Sequence, residues 1–139
     1  MYSGLLSTIK TTNKITNVLA SIYAKENTLD NCVLLNERKF VVESINGNIF
    51  VIKDNIIKTP PIGEGCVKVI MRKKIIELLS KNNDYILKEE AISPFELQKA
   101  DEVFITNAII GIQPVTNYKK TTFKTTISKA LALEIKNLV

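Results

Sequence analysis

The stretch from residue 40 to residue 72 constrains the fold of this chain more than any other. It contains three short apolar runs, which Asn46-Gly47 and Asp54-Asn55 separate. Two-residue loops of this kind supply the positive φ angles of tight hairpin turns. The pattern predicts a three-stranded antiparallel meander that ends at Pro60-Pro61, because proline has no N–H for a ladder. The expected strands are Phe40–Val42, Ile49–Ile52 and Ile56–Ile57.

Helical and extended patterns alternate along the rest of the chain. Apolar residues at helical spacing predict helices, and apolar residues alternating with polar ones predict strands. Ser93-Pro94-Phe95-Glu96 reads as a helix start with Ser93 as its N-cap, and Pro114 places its strand near an edge. Helices are expected at 12–25, 67–79, 94–100 and 123–139, and strands at 31–35, 84–90, 102–106 and 112–118.

Strand groups separated by single helices predict an α+β or mixed α/β domain in which helices cover a sheet. A chain of 139 residues is long enough for one domain with a real core and short for two. The sequence contains neither a dinucleotide-binding glycine fingerprint nor a phosphate loop that ends in Gly-Lys-Ser/Thr. We therefore expect a single domain, 1–139, outside the doubly wound nucleotide-binding class.

Composition excludes several functional classes. A hydrophobic fraction of 45% and a charged fraction of 24% are typical of a soluble domain, and no apolar window suits a membrane. The net charge of +5 comes mostly from scattered lysines, so we expect no nucleic-acid partner, and Arg72, Lys73 and Lys74 read as a solvated helix face. Two cysteines and no visible secretory signal favour the cytoplasm.

The chain has no histidine. Catalysis by Ser-His or Cys-His pairs is thereby excluded, as are most zinc sites, and no metal is expected. Any chemistry must use lysine, carboxylates, hydroxyls or a cofactor.

Four places in the chain are candidates for that chemistry. Lys10, between an apolar lead-in and a helix, reads alone as a solvated lysine. Glu43 is either half-exposed at a strand end or, if buried beside Val41, in need of a cationic or hydrogen-bonding partner. The segment 65–71 could bind an anion with backbone N–H groups at a helix start. Thr106-Asn107-Ala108 is either an ordinary turn or a second anion contact.

Together these parts suit one cofactor. Pyridoxal phosphate needs a lysine amine for its aldehyde, a carboxylate for its ring nitrogen and backbone-rich contacts for its phosphate. The carboxylate keeps the ring nitrogen protonated, so that the ring accepts electrons.

Over essentially its whole length the chain resembles the larger, C-terminal domain of fold-type IV pyridoxal-phosphate enzymes, the class-IV aminotransferase family. That family includes branched-chain aminotransferases, D-amino acid aminotransferases and aminodeoxychorismate lyase. The resemblance implies a largely antiparallel, barrel-like sheet with covering helices and pyridoxal 5'-phosphate as the cofactor. The matching pieces are LSTIKTTNKITNVLA, NCVLLN, VVESINGNIFVIKDNIIKTPPI, VIMR and ADEVFITNAIIGIQPV.

The resemblance also implies a role for individual residues. Lys10 is then the Schiff-base lysine and proton carrier, Glu43 holds the pyridine nitrogen, and Asn48 braces the strand of Glu43. The phosphate turn falls on Val69, Ile70, Met71 and Arg72, and the second phosphate contact on Asn107 and Ala108.

Val69 departs from the family, which usually has glycine there. A β-branched residue resists positive φ, so either the turn keeps an ordinary conformation or the phosphate contact is compromised.

The choice of reaction follows from two tripeptides. Ile70-Met71-Arg72 and Thr106-Asn107-Ala108 look more like aminodeoxychorismate lyase than like branched-chain aminotransferases, which usually have Gly-Thr-Ala at the second place. The resemblance implies a lyase that converts 4-amino-4-deoxychorismate to 4-aminobenzoate and pyruvate, a step of folate-precursor synthesis. The alternatives are an aminotransferase that acts on branched-chain or D-amino acids with 2-oxoglutarate, and a non-catalytic domain.

Family members carry a smaller N-terminal domain upstream, whereas this chain begins nine residues before Lys10. We expect the present chain to be the cofactor-binding C-terminal domain without that N-terminal domain. On its own it should bind the cofactor weakly and show little or no turnover. The resemblance also implies a homodimer and a small-molecule substrate.

Overall fold

The computed structural model describes residues 15–45, 47–61, 70–81, 83–107 and 111–138. Every predicted helix has a counterpart within these ranges, and so does every predicted strand, with ends that differ by a few residues. The one strand expected at 112–118 is instead two strands, 111–115 and 117–118, which belong to different sheets. The parts of three expected helices at 12–14, 67–69 and 139 lie outside the described residues. The elements are α1 Ile15–Glu26, β1 Val33–Leu35, β2 Val41–Ser44, β3 Asn48–Lys53, β4 Ile56–Thr59, α2 Ile70–Ser80, β5 Ile86–Glu89, α3 Pro94–Lys99, β6 Glu102–Asn107, β7 Gly111–Val115, β8 Asn117–Tyr118, β9 Thr121–Thr122 and α4 Thr126–Leu138.

A five-stranded sheet in the order β5-β4-β3-β6-β7 forms the centre of the fold. β4 and β5 pair in parallel, and the other three pairings are antiparallel. The expectation of a largely antiparallel mixed α/β layer is confirmed. Pro114 lies on β7, which is an outer strand of this sheet, as proline requires.

The predicted meander is correct for its second half and wrong for its first. β3 and β4 form a hairpin around Asp54-Asn55, and Asp54 has the positive φ of 56° that the turn needs. β2 instead pairs with β1 in a separate two-stranded sheet. The reason is that β4 and β6 occupy the two edges of β3, which leaves none for β2.

Side chains alternate across the sheet and build a core on each face. On one face, Phe50 of β3 and Phe104 of β6 are paired in register and stack with ring centroids 4.9 Å apart. Helices α2 and α4 cover this face through Ile75, Leu79, Leu131 and Ile135. On the other face, residues of β2, β3 and β6 pack against α3 and the segment that precedes it. The strands contribute Val41, Ile49, Val51 and Val103, and the α3 region contributes Ile92 and Leu97.

The start of α3 is as the sequence predicts. The Ser93 hydroxyl accepts a hydrogen bond from the backbone N–H of Glu96 at 3.2 Å, and Pro94 occupies the first turn. Among the described residues, no helix is long and apolar enough to cross a membrane.

Candidate functional site

Glu43 is buried. It lies opposite Leu34 in the β1–β2 ladder and is 4% exposed, and all four residues of β2 are buried. The half-exposed alternative is therefore wrong. A buried carboxylate on a short strand of a ladder is held in a fixed position, and a negative charge there attracts basic or protonated groups.

The connection from β2 to β3 follows Glu43 in the sequence and approaches the end of β6. Both the backbone N–H and the hydroxyl of Ser44 donate to the carbonyl of Gly47 at 2.9 Å, which closes the turn. Gly47 then lies directly against β6, since a Cβ at this position would come within 2.5 Å of the Thr106 carbonyl oxygen. Only glycine permits this approach.

Asn48 and Thr106 meet at that point. They are paired in the β3–β6 ladder, and they are 2% and 0% exposed. They lie two residues beyond the stacked pair Phe50 and Phe104, so by alternation they face the side of the sheet that α2 covers. The Thr106 hydroxyl is buried there without a hydrogen-bond partner among the described residues.

Arg72, in the first turn of α2, is also buried, and its assignment to a solvated helix face is wrong. It is 4% exposed. Its Nη2 donates to the Pro60 carbonyl at 3.0 Å and to the Glu89 carboxylate at 2.9 Å. The Arg72 side chain thus ties the start of α2 to the ends of β4 and β5, and its Nε has no partner among the described residues. Lys73 and Lys74 are exposed as expected.

The remaining predicted site residues divide into three groups. Met71 is half-buried and packs against the core beneath α2. Ile70 begins α2 and Asn107 ends β6, where it is paired with Gly111, but their side chains are not described. Lys10, Val69 and Ala108 lie outside the described residues. The effect of Val69 in place of glycine therefore stays a prediction.

The described residues fit pyridoxal phosphate in two respects. A buried carboxylate, Glu43, is present for the ring nitrogen, as the cofactor requires. Two buried donors, the Thr106 hydroxyl and Arg72 Nε, have no described partner, and they lie at the strand end and the helix start where the phosphate contacts are expected. Buried donors are normally satisfied, so these two are suited to an anion that comes from outside the chain.

A cleft of about 410 Å³ between α2 and β5 lies next to Arg72 but is not lined by Glu43, Asn48 or Thr106. It is lined by Ile76, Leu79, Ser80, Tyr85, Leu87 and Glu89. The acidic residue in this lining, Glu89, already pairs with Arg72. The cleft therefore does not offer the acid and the anion contacts that the cofactor needs.

The burial of two residues of the candidate site was not predicted. Thr106 was expected only as part of a tripeptide, and Arg72 was named in the phosphate turn but also placed on the solvated face of its helix. Glycine in Asn46-Gly47 was the available signal for a close approach, but the strand it approaches is almost 60 residues away along the chain. No local pattern identifies such a partner.

The chain is similar to several known proteins. The family model for amino-transferase class IV matches residues 2–118. A Methanocaldococcus jannaschii protein, named only provisionally as a branched-chain-amino-acid aminotransferase, is 37% identical over 107 residues, covering 77% of this chain and 37% of its own length. Aminodeoxychorismate lyase of Vibrio harveyi is 31% identical over 112 residues, covering 81% of this chain and 41% of its own length.

The fold has the same relatives. The crystal structure of 4-amino-4-deoxychorismate lyase from Pseudomonas aeruginosa superposes with a TM-score of 0.89 at 24% identity, over 98% of this chain and 50% of that one. This chain thus spans about two fifths of the length of the curated relatives and half of the solved lyase.

Proposed function

Because the chain belongs to the class IV aminotransferase family, we propose that it is the cofactor-binding domain of a lyase that converts 4-amino-4-deoxychorismate to 4-aminobenzoate and pyruvate. Enzymes of this family use pyridoxal phosphate. The observation that carries the cofactor assignment to this chain is the burial of Glu43 on β2, at 4% exposure.

Each residue has a proposed role. Glu43 holds the proton on the pyridine nitrogen, and the β1–β2 ladder fixes its position. Asn48 and Thr106 form the adjoining wall, and the Thr106 hydroxyl donates towards the phosphate. When bound, the cofactor supplies an electron sink. Lys10 removes the proton from the ring carbon of the substrate that carries the amine, and loss of pyruvate then leaves the aromatic product.

The lyase is favoured over an aminotransferase by the end of β6. Branched-chain aminotransferases usually have Gly-Thr-Ala where this chain has Thr106-Asn107-Ala108. Thr106 is wholly buried, and Asn107, the last residue of the strand, is paired with Gly111, whose φ is 78°. The glycine of the aminotransferase tripeptide has no counterpart among these three residues.

An aminotransferase is the second candidate, since the Methanocaldococcus relative has the higher identity, 37% against 31% for the Vibrio lyase. It would transfer the amino group of a branched-chain or D-amino acid to 2-oxoglutarate. Lys10 and Glu43 would have the same roles in both reactions, so these two residues favour neither reaction.

The proposal includes a smaller N-terminal domain, which the longer relatives suggest, and a homodimeric enzyme. The N-terminal domain would supply the other wall of the substrate cleft. We therefore expect the present chain alone to bind pyridoxal phosphate weakly and to turn over little or no substrate.

The test uses the enzyme that contains this chain. It is incubated with 4-amino-4-deoxychorismate, and separately with 2-oxoglutarate and a panel of branched-chain and D-amino acid donors. Release of 4-aminobenzoate and pyruvate without amino transfer supports the lyase. Amino transfer without 4-aminobenzoate release establishes the second candidate. Failure of both reactions in an enzyme with bound cofactor would favour a non-catalytic domain.

A further inference from the structure

Helix α2 connects the two parallel strands of the central sheet. β4 ends at Thr59, α2 begins at Ile70, and β5 ends at Glu89, which is paired with Thr59 in the parallel ladder. The chain leaves β4 at its carboxyl end to enter α2, so the first turn of α2 belongs to the edge of the sheet where both strands end. Ligands of such strand-helix-strand units bind at this edge, and helix starts there favour anions.

Arg72 ties the first turn of α2 to both strand ends. Its Nη2 donates to the carbonyl of Pro60, directly beyond β4, at 3.0 Å. The same nitrogen donates to Oε1 of Glu89, the last residue of β5, at 2.9 Å. These two acceptors use both protons of Nη2. Because a guanidinium group is planar and rigid, they also fix the direction of the Nε proton.

The Nε proton is the part of Arg72 that is left for a ligand. Arg72 is 4% exposed, and its Nε has no hydrogen-bond partner among the described residues. Buried donors are normally satisfied, so a partner from outside the chain suits this atom. In the proposed function, the anion expected at the start of α2 is the phosphate of the cofactor.

We propose that Glu89 is a positioning residue for that phosphate, because its carboxylate holds the Arg72 guanidinium in the orientation in which Nε faces the phosphate. Glu89 acts through Arg72 and not by contact with the cofactor. The inference rests on the proposed function and adds to it a residue for which the sequence analysis found no role.

The charge of Glu89 taken alone predicts the opposite effect. A carboxylate near a bound phosphate repels it, so removal of the charge would tighten cofactor binding. The Glu89 side chain is 47% exposed, however, and solvent screens a charge at such a position. The hydrogen bond to Arg72, at 2.9 Å, is a direct contact. Positioning should therefore outweigh repulsion, and the sign of the change in affinity separates the two effects.

Glu90 provides a matched control. It follows Glu89 directly in the sequence, and its side chain is 52% exposed against 47% for Glu89. The carboxylate of Glu90 pairs with Lys58 at 3.6 Å. Substitution of Glu90 thus removes the same charge at a similar exposure and leaves the Arg72–Glu89 contact in place.

The test compares pyridoxal phosphate with pyridoxal, which lacks the phosphate. Both dissociation constants are measured by absorbance titration of the enzyme that contains this chain, after removal of its cofactor. Glu89→Ala should raise the dissociation constant of pyridoxal phosphate about fivefold and leave that of pyridoxal unchanged. Glu89→Gln should keep most of the affinity, because its amide oxygen still accepts a hydrogen bond from Arg72. Glu90→Ala should change neither constant.

A second comparison asks whether Glu89 acts through Arg72. In an enzyme that carries Arg72→Met, Glu89→Ala should have no further effect on the dissociation constant of pyridoxal phosphate. The full effect in that enzyme would mean that Glu89 acts independently of Arg72 and would overturn the inference. The comparison of Glu89 with Glu90 retains Arg72, so it stands even if Arg72→Met does not fold.

The outcomes separate this inference from the proposed function. Tighter binding of pyridoxal phosphate by both Glu89 variants would show that only the charge matters, and it would overturn the inference. Equal losses of affinity for pyridoxal phosphate and pyridoxal would indicate a general structural effect and would overturn it as well. In either case the parent enzyme still binds the cofactor and the proposed function stands. A parent enzyme that binds neither compound contradicts the proposed function and this inference with it.

Discussion

Asn48 and Thr106 face each other across the β3–β6 ladder, 2% and 0% exposed, although 58 positions separate them in the sequence. Gly47 makes this juxtaposition possible by bringing the β2–β3 connection against the Thr106 carbonyl. Glu43, the acid of the candidate site, lies on β2 just before this connection. The site is therefore assembled by sheet pairing rather than by a contiguous motif.

Thr106→Val should weaken cofactor binding without lowering the stability of the fold. The Thr106 hydroxyl is buried without a described partner, so its replacement by a methyl group should leave the free energy of unfolding unchanged or raise it by up to about 1 kcal/mol. If the hydroxyl donates to the phosphate, the dissociation constant of pyridoxal phosphate should rise about five- to tenfold. Urea unfolding and a fluorescence titration measure the two effects.

Thr106→Ser is the matched control, because it keeps the hydroxyl and should retain most of the cofactor affinity. Loss of stability in Thr106→Val with unchanged cofactor binding would show that the hydroxyl has an internal partner instead.

Glu43→Gln should impair the reaction more than the fold. The amide has nearly the same shape as the carboxylate but no charge to hold a proton on the pyridine nitrogen. We expect turnover of the enzyme that contains this chain to fall at least about 100-fold. The absorption spectrum of the bound cofactor should change as well. Glu77→Gln, at an exposed position of α2, should change neither the turnover nor the absorption spectrum. A fully active Glu43→Gln variant would show that Glu43 is not part of the site.

Substitution of the two arginines of the chain should lower the free energy of unfolding by clearly different amounts. Arg72→Met removes the donor to the Pro60 carbonyl and to Glu89, and it should lower the free energy of unfolding by about 2–3 kcal/mol. Glu89→Gln should cost less, about 0.5–1.5 kcal/mol, because the Glu89 side chain is 47% exposed and an amide oxygen still accepts. Arg38→Met, at an exposed position, should cost less than Arg72→Met. Chemical denaturation measures these differences. Equal free energies of unfolding for Arg72→Met and Arg38→Met would contradict the prediction.

Asp101 should make stability depend on acid pH. The backbone N–H of Asp54 donates to its carboxylate at 2.9 Å, and this bond, with Lys53 at 3.3 Å, holds the pKa of Asp101 below its ordinary value of 3.8. Because the folded pKa is the lower one, the stabilisation is present above pH 3.8 and is lost as the pH falls through the folded pKa.

Asp101→Asn should therefore be less stable than the parent chain at pH 7, by less than about 1 kcal/mol, since the side chain is 41% exposed. The difference should shrink on acidification to pH values below 3.8. Urea unfolding at both pH values measures it, and a difference that stays constant would mean that the charge of Asp101 has no part in it.

Local chemistry made part of this fold predictable. The Asp54-Asn55 turn, the Ser93 cap and the outer position of Pro114 each depend on residues within a few positions, and all three are confirmed. The partner of β2 was not predictable, because the competition of β4 and β6 for the edges of β3 involves distant segments.

The same limit applies to buried polar residues. Glu102 is 2% exposed and accepts hydrogen bonds from the backbone N–H groups of Ile127 and Ser128 at the start of α4. Arg72 is buried because the ends of β4 and β5 lie beside its side chain, which bonds the Pro60 carbonyl and Glu89. Neither residue has a sequence pattern that distinguishes it from a surface charge, so only the tertiary structure reveals its role.

The central claim is that an amine near the start of the chain and the buried acid of β2 serve one pyridoxal phosphate. The most direct measurement is borohydride reduction of the enzyme that contains this chain, with equimolar pyridoxal phosphate, followed by peptide mass mapping. We predict that the fixed label lies predominantly on Lys10 and that Lys10→Ala loses it. A label spread evenly over exposed lysines such as Lys73 and Lys129, with no preference for Lys10, would contradict the claim.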